Sequence, residues 1–427
     1  MRCRCLYWLG SVELFDDWGG MRILLSAFAF SPGLGSEAGG AWRWALELSK
    51  THDVVVVTDV SRRARVEPAL AELNNPRLKV YYYRPSWVSR VPLNSKTAQL
   101  LFGQWQFGLL GFVRKLHRRQ PFDLLHHLSY GVFRQASWLG FIEGPKFVFG
   151  PVGGGEDAPW RLKKSFPWGE KVREAARATV NWLAVRNPLW HWAISKADLV
   201  IARTPETKAR LPVAVQQRTF IAQETGAPHL AIQRAAPWEH GQPLELLFAG
   251  RLLGLKGVHF AVRAVALLRR KGLAARLTVI GSGPMLPHLQ ALALDLDVSD
   301  QICFVSHLPQ SELFDRYAKA HIFVFPSLRD AGGNVVQEAL AAGLPVVCLN
   351  MGGPPSFVNA SCGVLVEARA GNEDQLVENF AKGIESVASS NEHWQMLHQG
   401  ALARAAELTW ELQIGRIQAR IKELFNE

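Results

Sequence analysis

From Met21 onward, short apolar runs rich in β-branched residues alternate with stretches of helical period. ILLSAFAF (Ile23–Phe30) reads as a strand, followed by a glycine-bearing loop and a helix from about Gly40 to Lys50. DVVVVT (Asp53–Thr58) and LKVYYY (Leu78–Tyr83) are the next two strands. The pattern then predicts a helix near Thr97–Arg119, a strand at Asp123–His126, a helix near Phe133–Phe141, and strands at Lys146–Phe149 and Ala197–Ala202. Such alternation points to βαβ units and a parallel sheet.

Near Gln233–Pro243 the pattern breaks into AAPWEHGQP, which reads as a linker. A second series follows: LELLFAG (Leu244–Gly250), ARLTVIG (Ala275–Gly281), QICFV (Gln301–Val305), HIFVFP (His321–Pro326) and LPVVCL (Leu344–Leu349). Near-continuous apolar strands of this kind are buried on both faces. The expectation is an α/β chain of two doubly wound, Rossmann-like parallel-sheet domains facing a central cleft. The first spans 21–235 and the second 236–407, with a C-terminal helix at 408–427 returning to the first. Ligands of such sheets sit at the carboxyl ends of the strands, so the cleft is the expected site.

A length of 427 residues suits two domains, and 48% hydrophobic with 20% charged residues suits a soluble globular protein. The five cysteines, Cys3, Cys5, Cys303, Cys348 and Cys362, show no metal-ligand spacing. They indicate a reduced, cytoplasmic protein. No apolar run is long enough to span a bilayer; the longest candidate, Ala98–Val113, is interrupted by glycine and glutamine and reads as a core helix. The first 20 residues carry Glu13, Asp16 and Asp17 and lack an apolar core, so they read as a non-native or disordered extension rather than a signal peptide.

Charge changes the picture more than composition does. Residues 1–240 carry a net +13 and residues 241–427 a net −2, and 13 of the 15 tryptophans lie in the first stretch. A basic, Trp-rich half suits an anionic surface such as a membrane leaflet, and no nucleic-acid motif accompanies the charge. The densest stretch includes Trp160, Arg161, Lys163, Lys164, Phe166 and Trp168, with Trp182, Arg186, Trp190 and Trp192 soon after. The plainer alternative is a soluble basic domain with tryptophans in its core.

Two motifs in the second half carry candidate chemistry. In LFAGRLLGLKGV (Leu247–Val258), Arg251 and Lys256 bracket a strand-to-helix turn and can converge on one anion. In FVFPSLRDAGGNVVQEALAAGLPVV (Phe323–Val347), a loop with Asp330, Gly332, Gly333 and Asn334 opens a helix that carries Glu338. The glycines allow close backbone approach to a ligand, the helix N-terminus suits phosphate, and carboxylates pair with vicinal hydroxyls. Read alone, Asp330 is equally a helix cap and Glu338 a surface residue.

Together with RLTVIGSGP (Arg276–Pro284), which contains Gly281, and with DRYAKAHIFVFPS and MGGPPSFV, these motifs resemble glycosyltransferase family 4, the retaining transferases of GT-B fold. The resemblance covers residues 244–370 in order and spacing. It implies a nucleotide-sugar donor with its diphosphate on Arg251 and Lys256, its ribose on Glu338 and its sugar at Asp330. Two departures fall on the sugar-reading end: Asp330 replaces the usual Glu, and Ala331-Gly332-Gly333-Asn334 replaces an aromatic-Gly pair.

The N-terminal half resembles the family more loosely. SAFAFSPGLGSEAGG places Gly33, Gly35 and Ser36 in the loop expected to close over phosphates and acceptor. FDLLHHLSYGVFRQ ends a strand on His126 and His127; alternation sends one of them to the cleft, with His127 the choice and a packed His pair the alternative. KFVFGPVGGGE has Gly150-Pro151 where relatives place a His, so Gly153 and Glu156 are the substrate-side candidates there. Asp295-Leu296-Asp297 imitates a metal-binding DxD but lies away from the phosphate loop. No metal or other cofactor is expected, because Arg251, Lys256 and a helix dipole serve the diphosphate.

The implied activity is sugar transfer from a nucleotide diphosphate donor to a saccharide or polyprenyl-linked acceptor in surface polysaccharide synthesis. The protein would be cytoplasmic, with peripheral contact on the inner membrane face and no nucleic-acid partner. Alternatives are a sugar-nucleotide epimerase on the same fold, a phosphorylase acting on sugar phosphates, or a binding protein with a decayed site.

Overall fold

The computed structural model describes residues 20–33, 36–94, 97–228, 238–239, 241–306 and 308–426. The cysteines Cys3 and Cys5, Gly35, the side chain of Ser36, the 1–19 stretch and most of the expected linker lie outside the described residues. The chain divides into two compact units. The first holds residues up to Gly155, Asn181–Glu224 and the chain from Ile414; the second holds Glu156–Val180 and Thr225–Gln413.

The first unit is built on a seven-stranded sheet: β1 (Arg22–Ser26), β2 (Asp53–Asp59), β3 (Leu78–Tyr83), β4 (Leu124–His127), β5 (Lys146–Val152), β6 (Leu199–Ala202) and β7 (Thr219–Ile221). Their spatial order is β3-β2-β1-β4-β5-β6-β7, and every pairing is parallel. The second unit has β8 (Leu244–Ala249), β9 (Ala275–Ile280), β10 (Ile302–Val305), β11 (Ile322–Phe325), β12 (Val346–Leu349) and β13 (Gly363–Val366). They lie in the order β10-β9-β8-β11-β12-β13, again parallel.

The apolar runs make these sheets because both faces are covered. All residues of β2, β4, β11 and β12 are buried, whereas the edge strands β3, β10 and β13 are partly open. Full burial of each Val, Ile or Phe contributes about 1.5–3 kcal/mol, so the central strands anchor each unit. β7 and β13 were not expected from the pattern; one has three residues and the other opens on glycine.

Three local expectations are corrected. The first helix begins at Ser36, not near Gly40. Gly39 and Gly40 fall in its first turns, where Glu37 meets the positive end of the helix dipole. The helix expected at Phe133–Phe141 is a loop ending in a short 3-10 turn, Trp138–Phe141. Val132 bridges Gly153, and the Phe133 amide donates to the Gly153 carbonyl at 3.0 Å, which holds this stretch extended. Finally, residues 156–180 pack with the second unit although the first was their expected home.

Candidate active site

Two loops at the carboxyl ends of β8 and β11 form the centre of the second unit. The strands are neighbours in the sheet, so the chain leaving each arrives at the same edge. The two loops are then fastened together: the Leu328 amide donates to the Leu255 carbonyl at 2.8 Å. Gly257 seats the second contact. Its φ is 68°, and a Cβ there would come within 1.9 Å of the Pro326 carbonyl oxygen. Only glycine permits that approach, and it opens the helix Val258–Arg270.

This fastening brings Lys256 to Asp330. The ammonium forms a hydrogen-bonded ion pair with Asp330 Oδ2 and lies 5.3 Å from the centre of the Phe325 ring. Asp330 Oδ1 accepts the amides of Gly332 and Gly333 at 3.1 and 3.0 Å. The two glycine amides are therefore turned onto a carboxylate of their own loop, where the sequence suggested approach to a ligand. Gly333, with φ of 71°, then starts the helix Asn334–Ala341. Arg251 is exposed at the same strand end. Gly281 closes the neighbouring strand end by approach to Gly250, where a Cβ would lie 1.9 Å from the carbonyl oxygen. That is a packing role.

Glu338 sits one turn into the helix and accepts a hydrogen bond from the Tyr317 hydroxyl at 3.1 Å. Burial pushes its carboxyl up to about 6, and the tyrosine hydroxyl pulls the other way. Tyr317 is itself raised well above its ordinary value by burial and by the nearby carboxylate. Tyr317 was not singled out from the sequence. Its place among apolar residues of the helix Gln310–Lys319 marks it only as core.

The segment 156–180 supplies a second set of residues that sequence reasoning missed. Glu170 accepts the Gly254 amide at 2.7 Å, inside the turn between Arg251 and Lys256. One helical turn later, Glu174 receives both Arg329 Nη1 at 2.8 Å and Lys163 Nζ at 3.3 Å. Arg329 adjoins Asp330, so this carboxylate steadies the other loop. Lys163, counted above in a basic surface stretch, is a buried member of an ion triad. Glu174→Ala would leave two cations without their anion. We expect a loss of about 3–5 kcal/mol in urea unfolding; a loss under 1 kcal/mol would remove the triad from the list of structural anchors.

The first unit treats the expected residues differently. His126 and His127 are both fully buried, so His127 does not face a cleft. His126 Nε2 lies 2.6 Å from the Gly150 carbonyl, and His127 Nδ1 lies 3.5 Å from the Ser26 hydroxyl. His127 is walled by Phe102 and Phe149, and burial pushes its imidazole down to about 3. A neutral, enclosed imidazole is a packing residue here. The Gly153 amide is taken by the Gly131 carbonyl at 2.9 Å. Glu156 is buried in the second unit, where its carbonyl accepts from Arg177 at 3.0 Å. Gly33 is exposed with φ of 67°. At this sheet edge the structure instead joins Glu37, Arg203 and Glu224. Arg203 Nη2 lies 2.5 Å from Glu224 and 3.8 Å from Glu37, and burial pushes Glu224 up to about 7 against the pull of Arg203.

Asp297 and Asp300 of the DxD-like region reach Arg269 at the surface of the second unit, at 3.7 and 3.2 Å.

The family model for glycosyl transferases group 1 matches residues 232–401. The second unit carries a group 1 glycosyltransferase domain. Over 184 residues the chain is 36% identical to D-inositol 3-phosphate glycosyltransferase 1 of Catenulispora acidiphila, covering 41% of this chain and 43% of that protein. It is 33% identical to the GDP-mannose-dependent alpha-(1-6)-phosphatidylinositol monomannoside mannosyltransferase of Mycolicibacterium smegmatis, over 40% and 47% of the two chains. The match thus spans under half the length of these curated relatives. In fold, the chain is similar to the lipopolysaccharide outer core galactosyltransferase WaaB, with a TM-score of 0.64 at 14% identity over 94% of this chain and 99% of that one. The architecture is GT-B.

Proposed function

We propose that the protein is a glycosyltransferase that moves a sugar from a nucleoside diphosphate donor to a saccharide or lipid-linked acceptor, with retention and without a metal ion. The observation that carries this reading is the meeting of Lys256, Asp330 and the Gly333-started helix where β8 and β11 end. A diphosphate placed there finds two cations, Arg251 and Lys256, and the positive end of a helix. An ammonium has three donors, so Lys256 can meet the diphosphate while still holding Asp330 in place to accept donor-sugar hydroxyls. Glu338 accepts the ribose hydroxyls. As the glycosidic bond breaks, negative charge grows on the leaving diphosphate, and the cations stabilise it most at that point. With His127 enclosed, the leaving phosphate is the group that receives the acceptor proton, in a front-face attack.

The group 1 domain and its sugar-transferring relatives support the donor half of this reading. The test is isothermal titration of the full chain with a panel of nucleoside diphosphate sugars, with and without EDTA. At least one should bind saturably, with affinity and turnover unchanged by EDTA. Binding of none overturns the reading, and activity lost to EDTA and restored by Mg²⁺ overturns its metal-free part.

The acceptor half extends to the membrane. Trp182 and Trp192 of the first unit are each 53% exposed, and Arg186 lies over the Trp182 ring at 4.0 Å. Exposed tryptophan with arginine is the chemistry of a headgroup layer, and each basic residue near an anionic surface adds about 1 kcal/mol. No helix among the described residues is long and apolar enough to cross a membrane. Attachment is therefore peripheral in this reading, on the inner face of the cytoplasmic membrane, in surface glycan assembly. The protein should sediment with anionic vesicles at low salt and be released by salt. Failure to bind them at low salt would leave a soluble saccharide as the acceptor.

A further inference from the structure

The helix Asn391–Glu407 of the second unit touches the chain at both ends of the sheet. Three contacts lie where strands begin. Trp394 donates to the His321 carbonyl at 2.9 Å, just ahead of β11. His398 Nδ1 lies 2.6 Å from the Gly343 carbonyl, ahead of β12. Gly400 lies so close to the chain ahead of β13 that a Cβ would come within 1.7 Å of the Ser361 carbonyl oxygen. The fourth contact is at the opposite end, beyond the close of β12. Arg404 donates from Nε to the Phe357 carbonyl and from Nη2 to the Ser356 carbonyl, each at 2.9 Å. Its Nη1 donates to Glu407 at 2.6 Å.

The turn that Arg404 holds is joined to the Asp330 loop. Ser356 and Phe357 lie in a short 3-10 turn, in which the Ser356 amide donates to the Gly353 carbonyl at 2.8 Å. The Gly353 amide donates in turn to the Asp330 carbonyl at 2.7 Å. Gly352, with φ of 68°, approaches that same oxygen, and a Cβ there would lie 2.4 Å from it. The Phe357 ring is fully buried, and a Cβ on Gly333 would lie 3.5 Å from it. One guanidinium is thus linked to Asp330 and to the start of the helix that carries Glu338. Two charge-assisted bonds from a planar fork fix both the place and the tilt of the turn. A lysine ammonium, a point charge, lacks that rigid fork.

We propose that Arg404 is a positioning residue for the sugar half of the donor, holding Asp330 in place through the turn that begins at Gly353. That the positioned group reads a sugar rests on the glycosyltransferase reading; the brace itself does not. Arg251 and Lys256 lie on the β8 loop, which has its own fastening from Leu328 to Leu255. The diphosphate half should therefore depend little on Arg404.

The test combines hydrogen exchange of the full chain with titration calorimetry against UDP, GDP and ADP and their hexose derivatives. Arg404→Met keeps the apolar stem and removes the fork. Exchange in residues 330–334 and 350–357 should speed up roughly tenfold, as for the loss of charge-assisted bonds, and stay unchanged in 251–257. The Kd of the nucleotide sugar that the wild type binds should rise roughly tenfold, and that of its parent nucleoside diphosphate less than about twofold. In an Asp330→Ala background the same substitution should raise the nucleotide-sugar Kd less than about twofold, because its effect passes through that residue. Should Arg404→Met fail to fold, Arg404→Lys decides: it keeps the charge without the fork and should show the same pattern at roughly threefold. Unchanged exchange at 330–334 overturns the proposal. So does equal weakening of sugar nucleotide and nucleoside diphosphate, or full additivity with Asp330→Ala; each would leave Arg404 a stabilising contact only. A wild type that binds no nucleotide sugar sinks the transferase reading instead, and exchange alone then decides whether Arg404 braces the Asp330 loop.

Discussion

Lys256→Ala should lower kcat by about 10²–10³-fold, with a much smaller rise in the donor Kd. The range is that for removing one preorganised donor to a developing negative charge. Lys256 is placed for the larger end because it holds two things at once. It is one of the two cations proposed to meet the leaving group, and it is the ion-pair partner of Asp330. Without it, Asp330 keeps only the two glycine amides, and the carboxylate proposed to read the sugar loses its anchor on the β8 side. Arg251→Ala should cost less, about tenfold in kcat, because that side chain is exposed and solvent screens its charge. Single-turnover kinetics separate the chemical step from binding. Wild-type turnover in both variants, with the fold intact, would remove the leaving-group role.

The sequence exposes the second unit more fully than the first because its strands are unbroken apolar runs. Runs such as FVF before Pro326 need no partner information to be recognised. Its loops were legible for a related reason: Gly257 and Gly333 occupy backbone conformations that few other residues adopt, so the chemistry they position keeps a fixed spacing. Whether these residues bind a donor is a separate matter, and the titrations above address it.

What escaped the sequence depends on partners far along the chain. Glu170 and Gly254 are 84 residues apart, and Glu174 and Arg329 are 155 apart. No local pattern announces such pairs, and the basic, aromatic character of residues 160–173 suggested a surface instead. Lys163 is charged and buried, which composition alone reads the wrong way. The histidine choice failed differently. Alternation along β4 does separate His126 from His127, but both faces of this strand are covered, so it selects between two interiors. The helix expected at Phe133–Phe141 failed because the apolar residues there fill a core from an extended backbone pinned to Gly153.

Glu338→Ala should raise the donor Kd at least tenfold, since a hydrogen bond to a charged group contributes about 1.5–3 kcal/mol. The pH dependence offers a sharper test. Burial holds the Glu338 carboxyl at about 6 in the free protein, above its ordinary value. The proposed partner is a ribose hydroxyl, which the ionised form accepts best, so donor binding favours loss of the proton. By linkage, affinity should be flat well above pH 6 and fall as pH drops through 6, approaching roughly tenfold per pH unit below it. The same raised value has the opposite consequence for stability. Between the ordinary carboxyl range and pH 6 the folded protein holds more protons than the unfolded chain, so this group makes the fold less stable as pH rises through that window. Glu338→Gln keeps the shape and a hydrogen-bonding oxygen but cannot ionise. It should bind donor weakly with no step near pH 6 and be slightly more stable than the wild type at pH 8. A Gln variant that keeps the wild-type step would assign the titration to another group, and unchanged affinity in the Ala variant would take Glu338 out of the donor site.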